Sequence, residues 1–373
     1  MPPGTKDESE CWLALARAPG LHVGHLQEAD AATAALHLVG RPASELIGRG
    51  IPEAAAQWLA SPDRGLLHSD RQWLESAGAQ LIGCDSEHYP PLLGQIASAP
   101  VALYVLGRAE ALLSAQLAIV GSRNPTAGGA RTAREFAEFL ASAGLVITSG
   151  LALGIDASAH EGALAARGTT VAVLGCGLDE FYPPENRGLA TRILAAGGAL
   201  LSEFPPGTPP RRENFPRRNR LISGLALGTL VVEAARQSGS LITARLAAEQ
   251  GREVFAIPGS IHNPLARGCH QLLRQGAKLV ETAADIVSEL KIPFSKQDIT
   301  ESPPGAGTRP TGAPGLDKDY EILLDALGFE PQSIDALVDR TGLPSPSVAS
   351  MLLILELEGR VGLHPGGRYV RVS

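Results

Sequence analysis

The sequence predicts an α/β protein in which a helical segment precedes an extended, doubly wound parallel sheet and a winged helix follows it. Three observations lead there. Between residues 79 and 280, short apolar runs bounded by Gly, Pro or Ser alternate with Ala-rich windows at helical spacing, the texture of strand–helix–strand units. Most of these runs are apolar throughout, as strands covered on both faces require. Before residue 75 and beyond residue 316 the runs give way to short helical windows.

Composition narrows the class. At 373 residues the chain can hold two or three domains with sizeable cores, and 44% hydrophobic with 4% aromatic residues suits a globular protein. Five of its 32 Lys and Arg are lysine, and the net charge is -7. Residues 1–10 carry Lys6, Asp7, Glu8 and Glu10 without an apolar core, so no signal peptide is expected. No uninterrupted apolar run reaches the ~18 residues of a membrane span. Cys11, Cys84, Cys176 and Cys269 form no CxxC pair, which excludes a zinc-finger framework and suits free thiols in a reducing cytoplasm.

Taken in order, residues 1–75 read as a small all-α domain. Leu13-Ala14-Leu15, Pro19-Gly20-Leu21-His22-Val23-Gly24 and Ala-rich Asp30 to Leu38 have the outline of a helix-hairpin-helix or SAM-like unit. Its turn holds no Lys or Arg, so a plain helical turn is the simpler reading than a phosphate site. Gly40-Arg41-Pro42 and Gly48-Arg49-Gly50-Ile51-Pro52 break the helices. Residues 76–291 carry the sheet, with strands expected at Gln80–Gly83, Ala102–Leu106, Leu117–Val120, Leu145–Thr148, Thr170–Leu174, Ala199–Leu201, Thr229–Val232, Glu253–Ile257 and Lys278–Val280. Helices are expected at Ala130–Ser142, Asp156–Arg167, Glu185–Ala196, Leu241–Glu249 and Cys269–Gln275. This is a Rossmann-like order, whose ligands bind beyond the C-terminal strand ends. Residues 292–315, rich in Pro and Gly, read as a flexible linker. Residues 316–373 offer helical windows at Tyr320–Leu327, Ser333–Arg340 and Ser347–Glu358, then a hairpin turning at Pro365-Gly366-Gly367, which together make a winged helix. Its third helix has no Lys or Arg and carries Glu356 and Glu358, which favours protein contact over duplex binding.

The unusual residues collect at the strand ends. Gly121-Ser122-Arg123-Asn124 follows one strand, and Gly128-Gly129 opens the helix after it, a loop suited to an anion. Ser149-Gly150 to Asp156 follows the next, with Asp156 expected as an N-cap and His160 one turn along. Ser238-Gly239-Ser240 starts another helix. Most conspicuous is 211–220, with five arginines against the single acid Glu213 in an acidic chain, and with Phe215 among them. Arginines follow a phosphate backbone, and an aromatic face lets a base stack. A solvated basic loop with a packed Phe fits that stretch alone equally well. The surrounding anion-friendly loops favour an extended, phosphate-bearing ligand. Glu203 and Glu233 are expected to brace Arg217 or Arg220, with Arg212 and Arg218 reaching outward. A dinucleotide does not fit, since the first turn reads G-S-R-N-P-T, and Gly175-Cys176-Gly177-Leu178-Asp179-Glu180 places acids where pyrophosphate would lie. No cofactor is expected.

These residues resemble the bacterial DNA-processing protein A family (DprA, also called Smf). The likeness is carried by Tyr89-Pro90-Pro91-Leu92-Leu93, Ile119-Val120-Gly121-Ser122-Arg123, and Ser149 through Asp156 with His160. It continues with Val173 to Asp179, Tyr182-Pro183, Phe215-Pro216-Arg217-Arg218-Asn219-Arg220, Ser238 to Ala244 and Pro258-Gly259. The resemblance implies a homodimer, formed through the Rossmann-like domain, that binds single-stranded DNA and loads the RecA recombinase during natural transformation. It implies no catalytic activity, and a single-strand-binding protein as a further partner. By the family's pattern the strand meets Arg123, Phe215 and a basic residue three before it, here Arg212 where some members have lysine. With the anion-friendly loops, the candidate DNA-binding set is Gly121, Ser122, Arg123, Asn124, Gly150, Arg211, Arg212, Phe215, Arg218, Asn219, Ser238, Gly239 and Ser240. The competing expectation is an N-glycosidase for nucleoside monophosphates. Its PGGxGTxxE stretch is met only by Ala226-Leu227-Gly228-Thr229-Leu230-Val231-Val232-Glu233, which lacks the double glycine and has a different Thr-to-Glu spacing.

Overall fold

A computed structural model describes residues 8–27, 37–291, 318–328, 331–364 and 366–371. It divides into two compact units, the first holding the N-terminal helices and the sheet, the second the C-terminal elements together with Thr126–Arg131. The expected linker lies outside the described residues, as does most of Asp30 to Leu38.

The first unit opens with α1 (Glu8–Arg17), α2 (Val23–Gln27), α3 (Ala43–Gly48), α4 (Glu53–Ala60) and α5 (Arg64–Ala77). Pro42 and Pro52 stand immediately before α3 and α4, where a missing N–H costs nothing. Asp63 caps α5 by accepting from Gly65 N at 2.8 Å and Leu66 N at 3.2 Å. These helices share one apolar cluster with the sheet, in which Trp12, Leu13 and Leu59 meet Tyr104, Leu174 and Leu200. Within it Arg17 makes a two-pronged bond to buried Asp70, at 2.5 and 2.6 Å, and reaches Pro206 O at 3.2 Å. The Asp70 hydrogen bond raises the Arg17 pKa.

The sheet has nine strands among the described residues. They are β1 (Ala79–Gly83), β2 (Ala102–Gly107), β3 (Gln116–Val120), β4 (Val146–Ser149), β5 (Thr170–Val173), β6 (Ala199–Ser202), β7 (Gly228–Val231), β8 (Glu253–Ala256) and β9 (Lys278–Leu279), in the order β1-β2-β6-β5-β4-β3-β7-β8-β9. Each falls within a residue or two of its expected place. All neighbours from β6 through β9 pair in parallel. The expected doubly wound parallel sheet is present and carries a mixed edge, in which β2 runs antiparallel to both β1 and β6. An apolar run reports burial and carries no sign of strand direction, so the reversal was invisible in the pattern.

Helices α6 (Pro91–Gly94), α7 (Ala127–Ser142), α8 (Ile155–Ala165), α9 (Arg187–Ala195), α10 (Asn214–Leu225), α11 (Gly239–Glu249), α12 (Arg267–Arg274) and α13 (Ala283–Glu289) complete this unit. One sheet face packs Val120, Val173 and Leu201 against Leu221, Ile222 and Leu225 of α10. The other packs Ile119, Ile147 and Leu230 against Phe136, Leu140 and Ile286. Burying such a side chain contributes about 1.5–3 kcal/mol. The order reverses at β3, because β4 lies on one side of it and the later β7 on the other. Loops leaving β3 and β7 therefore part over a crevice.

The second unit is built by α14 (Lys318–Leu327), α15 (Ile334–Thr341) and α16 (Ser345–Leu357) with a sheet ordered β10 (Gln332–Ser333), β12 (Arg368–Arg371), β11 (Val361–His364). Leu323, Leu337, Leu352 and Leu355 form its core. The winged helix is present, with β10 as a small strand the sequence did not announce.

Candidate nucleic-acid interface

The arginine-rich stretch corrects the first expectation, because from Asn214 onward it is helix α10. Among its buried positions Asn214, Arg218, Leu221, Ile222 and Leu225 are spaced 4, 3, 1 and 3 apart, with Ser223 and Gly224 buried as well. Two of these five are polar, which hid the apolar stripe. Pro216 sits in the first turn, where its missing donor is an orphan anyway.

The arginines divide sharply. Arg218, expected to reach outward, is 4% exposed and donates through Nη1 to Gly150 O at 2.7 Å and to Val173 O. Burial lowers its pKa to about 10, against the raising field of Asp156. It remains cationic at neutral pH. Arg220 pairs with Glu203, as expected of a bracing acid, and burial lowers its pKa too. Arg217 lies over the Phe204 ring at 5.5 Å. Arg211 and Arg212 are exposed and in no ion pair among the described residues. Of the five arginines, two are therefore part of the interior scaffold.

Glycines let this helix sit on the strand ends. A Cβ on Gly150, just after β4, would come 2.5 Å from Arg218 Nη1, and one on Gly175, after β5, would come 3.0 Å from the Phe215 ring. These close approaches explain the glycines without phosphate contact. Phe215 thus stands half-buried on Gly175, with the Arg123 guanidinium 5.7 Å from its centroid on the adjacent loop.

Asp156 corrects the second expectation. The N-cap of α8 is Gly154, whose φ of 81 suits glycine, and Asp156 lies inside the first turn. Its Oδ2 accepts from Gly150 N at 3.1 Å and Ala152 N at 3.3 Å. Burial raises its pKa, while Arg218 and these bonds pull it back. His160 is elsewhere engaged: Thr170 Oγ1 donates to Ile147 O, so His160 Nδ1 donates to Thr170 at 2.7 Å. Burial, helped by Arg218, drops the imidazole pKa to about 3, leaving it neutral. The two do not form an acid–base pair. Gly128 and Gly129 also lie within α7, where Gly129 N donates to Thr126 Oγ1 at 2.9 Å.

Over the crevice between β3 and β7 lies a cavity of ≈ 780 Å³. Ten of the candidate residues line it: Gly121, Ser122, Arg123, Arg212, Phe215, Arg218, Asn219, Ser238, Gly239 and Ser240. Asn124, Gly150 and Arg211 lie outside the lining, with Gly150 behind Arg218. Asn219 Nδ2 donates to Gly239 O at 3.4 Å, joining α10 to the start of α11. Ser238 Oγ accepts from Ser240 N at 3.3 Å. The N-terminal dipole of α11 and three guanidinium groups surround this space, against the one buried carboxylate of Asp156. Tyr182 and Gln237 also line it. Sequence reasoning missed both, although Tyr182 stood in a quoted motif.

Among the described residues no His, Cys, Asp or Glu cluster could hold a metal, and no helix is long and apolar enough to cross a membrane. The stretch compared with a glycosidase loop is strand β7. A Cβ on Gly228 would come 2.8 Å from Phe255, so this glycine serves sheet packing.

Comparison with known proteins settles the lineage. The family described as DNA recombination-mediator protein A matches residues 80–291, and the DprA winged helix domain matches residues 307–367. The chain belongs to the DNA recombination-mediator protein A family. Among its relatives, Protein Smf of Escherichia coli (strain K12) is 46% identical over 323 residues, covering 87% of this chain and 85% of that one. The X-ray structure of DNA processing protein A from Streptococcus pneumoniae superposes with a TM-score of 0.65 at 34% identity, covering 78% and 99%. That of Helicobacter pylori DNA processing protein A, described for its single-stranded DNA binding mode, gives 0.52 at 29%, covering 58% and 98%.

Proposed function

We propose that this member of the family binds single-stranded DNA in the crevice between β3 and β7 and delivers the strand to the RecA recombinase during natural transformation, protecting it meanwhile. The observation that carries the reading is Phe215, a half-buried ring beside the Arg123 guanidinium in a cavity that also takes in Arg212 and the start of α11. A base stacks on the ring while phosphates meet the arginines and the α11 N–H groups. Stacking needs an unpaired base, so the site selects single strands with little regard to sequence. The chemistry asks nothing of a catalyst: Asp156 and His160 are buried and separately bonded. The solved Helicobacter pylori relative, described for its single-stranded DNA binding mode, supports the same assignment.

A cytoplasmic homodimer fits this role. Ile261 and Leu279 are exposed by 73% and 53% near the β8–β9 edge, and the four cysteines form no disulfide. Two crevices on one strand would gain effective concentration. The C-terminal unit serves a protein partner, since α16 exposes Leu353, Ile354 and Leu357 and lacks a basic residue.

Titration with single-stranded and blunt duplex oligonucleotides at several salt concentrations tests the assignment. Single strands should bind much more tightly. Light scattering on a chain ending at residue 291 should still give a dimer, and that fragment should still bind.

A further inference from the structure

Tyr182 is the feature of the crevice that the assignment so far leaves unused. It is 40% exposed, lines the same cavity as Phe215, and its phenol makes no hydrogen bond among the described residues. Its ring centroid is 5.7 Å from that of Phe215, with the planes 43° apart. The backbone around it is tied on both sides. Cys176 Sγ donates to Glu180 O at 3.1 Å, and Asp179 Oδ2 accepts from Gly207 N at 2.9 Å. Asn186 Nδ2 donates to Leu151 O at 2.8 Å. A surface tyrosine packed on no core, on a fixed loop, beside the ring that takes a base, is poorly explained by stability alone.

We propose that Tyr182 is a second stacking platform, holding the base next to the one on Phe215. This rests on the single-strand reading above. A base sandwiched between two rings needs them about 7 Å apart, twice the ~3.4 Å rise of stacked bases. At 5.7 Å the rings already touch, so each offers its outer face to a different base. Two faces inclined by 43° also force the strand to unstack and turn between those bases. That bend is easy for a flexible pyrimidine run and resisted by a stacked purine run, since such preferences follow stacking strength and backbone flexibility. Tyr182 thereby makes oligo(dT) a better ligand than oligo(dA).

Full-length protein and its Tyr182→Ala, Tyr182→Phe, Tyr182→Trp and Phe215→Ala variants, titrated with oligo(dT) and oligo(dA), test this. Tyr182→Ala should weaken oligo(dT) binding by roughly 5- to 150-fold, leave the salt slope unchanged, and narrow the dT-to-dA ratio. Tyr182→Phe should keep both affinity and ratio, and the new indole of Tyr182→Trp should be quenched by oligo(dT). Should Tyr182→Ala fail to fold, retention by Tyr182→Phe and quenching in Tyr182→Trp carry the test, and an unquenched indole refutes the platform. If Phe215→Ala weakens binding and a folded Tyr182→Ala does not, the platform is wrong and the single-strand site stands. Absence of single-strand binding by the unaltered protein would refute both.

Discussion

Replacing Arg218 with methionine tests the claim that a buried cation holds the crevice together. Methionine keeps most of the stem volume, so the change isolates the charge. It leaves Gly150 O and Val173 O without their donor and the buried Asp156 carboxylate without its balancing field. Breaking a buried pair by removing one partner costs about 3–5 kcal/mol, because the other charge stays desolvated. The loss should depend on pH. Asp156 already has a raised pKa from burial, and without Arg218 it rises further above the unfolded value of about 3.9. A raised folded pKa gives stability that is complete below the unfolded pKa and fades as pH climbs through the folded one. Arg218→Met should therefore be destabilised most at pH 8 and less at pH 5, by up to about 1.4 kcal/mol per unit across the window. Urea unfolding at the two pH values measures the gap, and adding Asp156→Asn should abolish its pH dependence. A loss below about 1 kcal/mol, or one equal at both pH values, would show that Arg218 is not a buried charge balancing Asp156.

Further outcomes follow from the crevice. Phe215→Ala should lower single-strand affinity by about 1–3 kcal/mol with an unchanged salt slope, and equal binding of a blunt duplex would contradict stacking. Arg123→Ala and Arg212→Ala should each flatten the logarithmic salt dependence by about 0.7, whereas weaker binding at constant slope, with altered circular dichroism, would assign them to folding. Gly175→Ala should push the Phe215 ring off its seat and weaken binding, and combining it with Phe215→Ala should add little. Full additivity would mean that Gly175 acts elsewhere.

How far the chain could be read before folding varies with the kind of information each residue carries. The strands were legible because an apolar run between Gly and Pro has few other uses in a parallel sheet. The crevice was legible in outline, since chain order puts every βα loop on one rim. Asn214 and Arg218 defeated the helical pattern because both are polar and buried, and the burial of Arg218 depends on the Gly150 and Val173 carbonyls far away in sequence. The same holds for Asp156: its position inside the first turn of α8 follows from the backbone of Gly154, which the side-chain pattern cannot specify. Tyr182 was quoted as part of a motif, yet only the folded loop sets it beside Phe215.

The apolar cluster that joins the first helices to the sheet imposes an order on biosynthesis. Helices α1, α4 and α5 leave the ribosome early, yet Leu200 of β6 belongs to the surface that covers them. The roughly 120 residues between α5 and β6 take about 6–25 s to translate at ~5–20 residues per second. Through that interval Leu13, Leu15 and Leu59 have Val101 and Tyr104 of their cluster but not yet Leu174, Leu189 or Leu200, and the nascent chain offers chaperones an incompletely covered apolar face. The cluster around the segment made first is complete only when β5 and β6 arrive, so a stalled or truncated message would release a product with its oldest part incompletely covered.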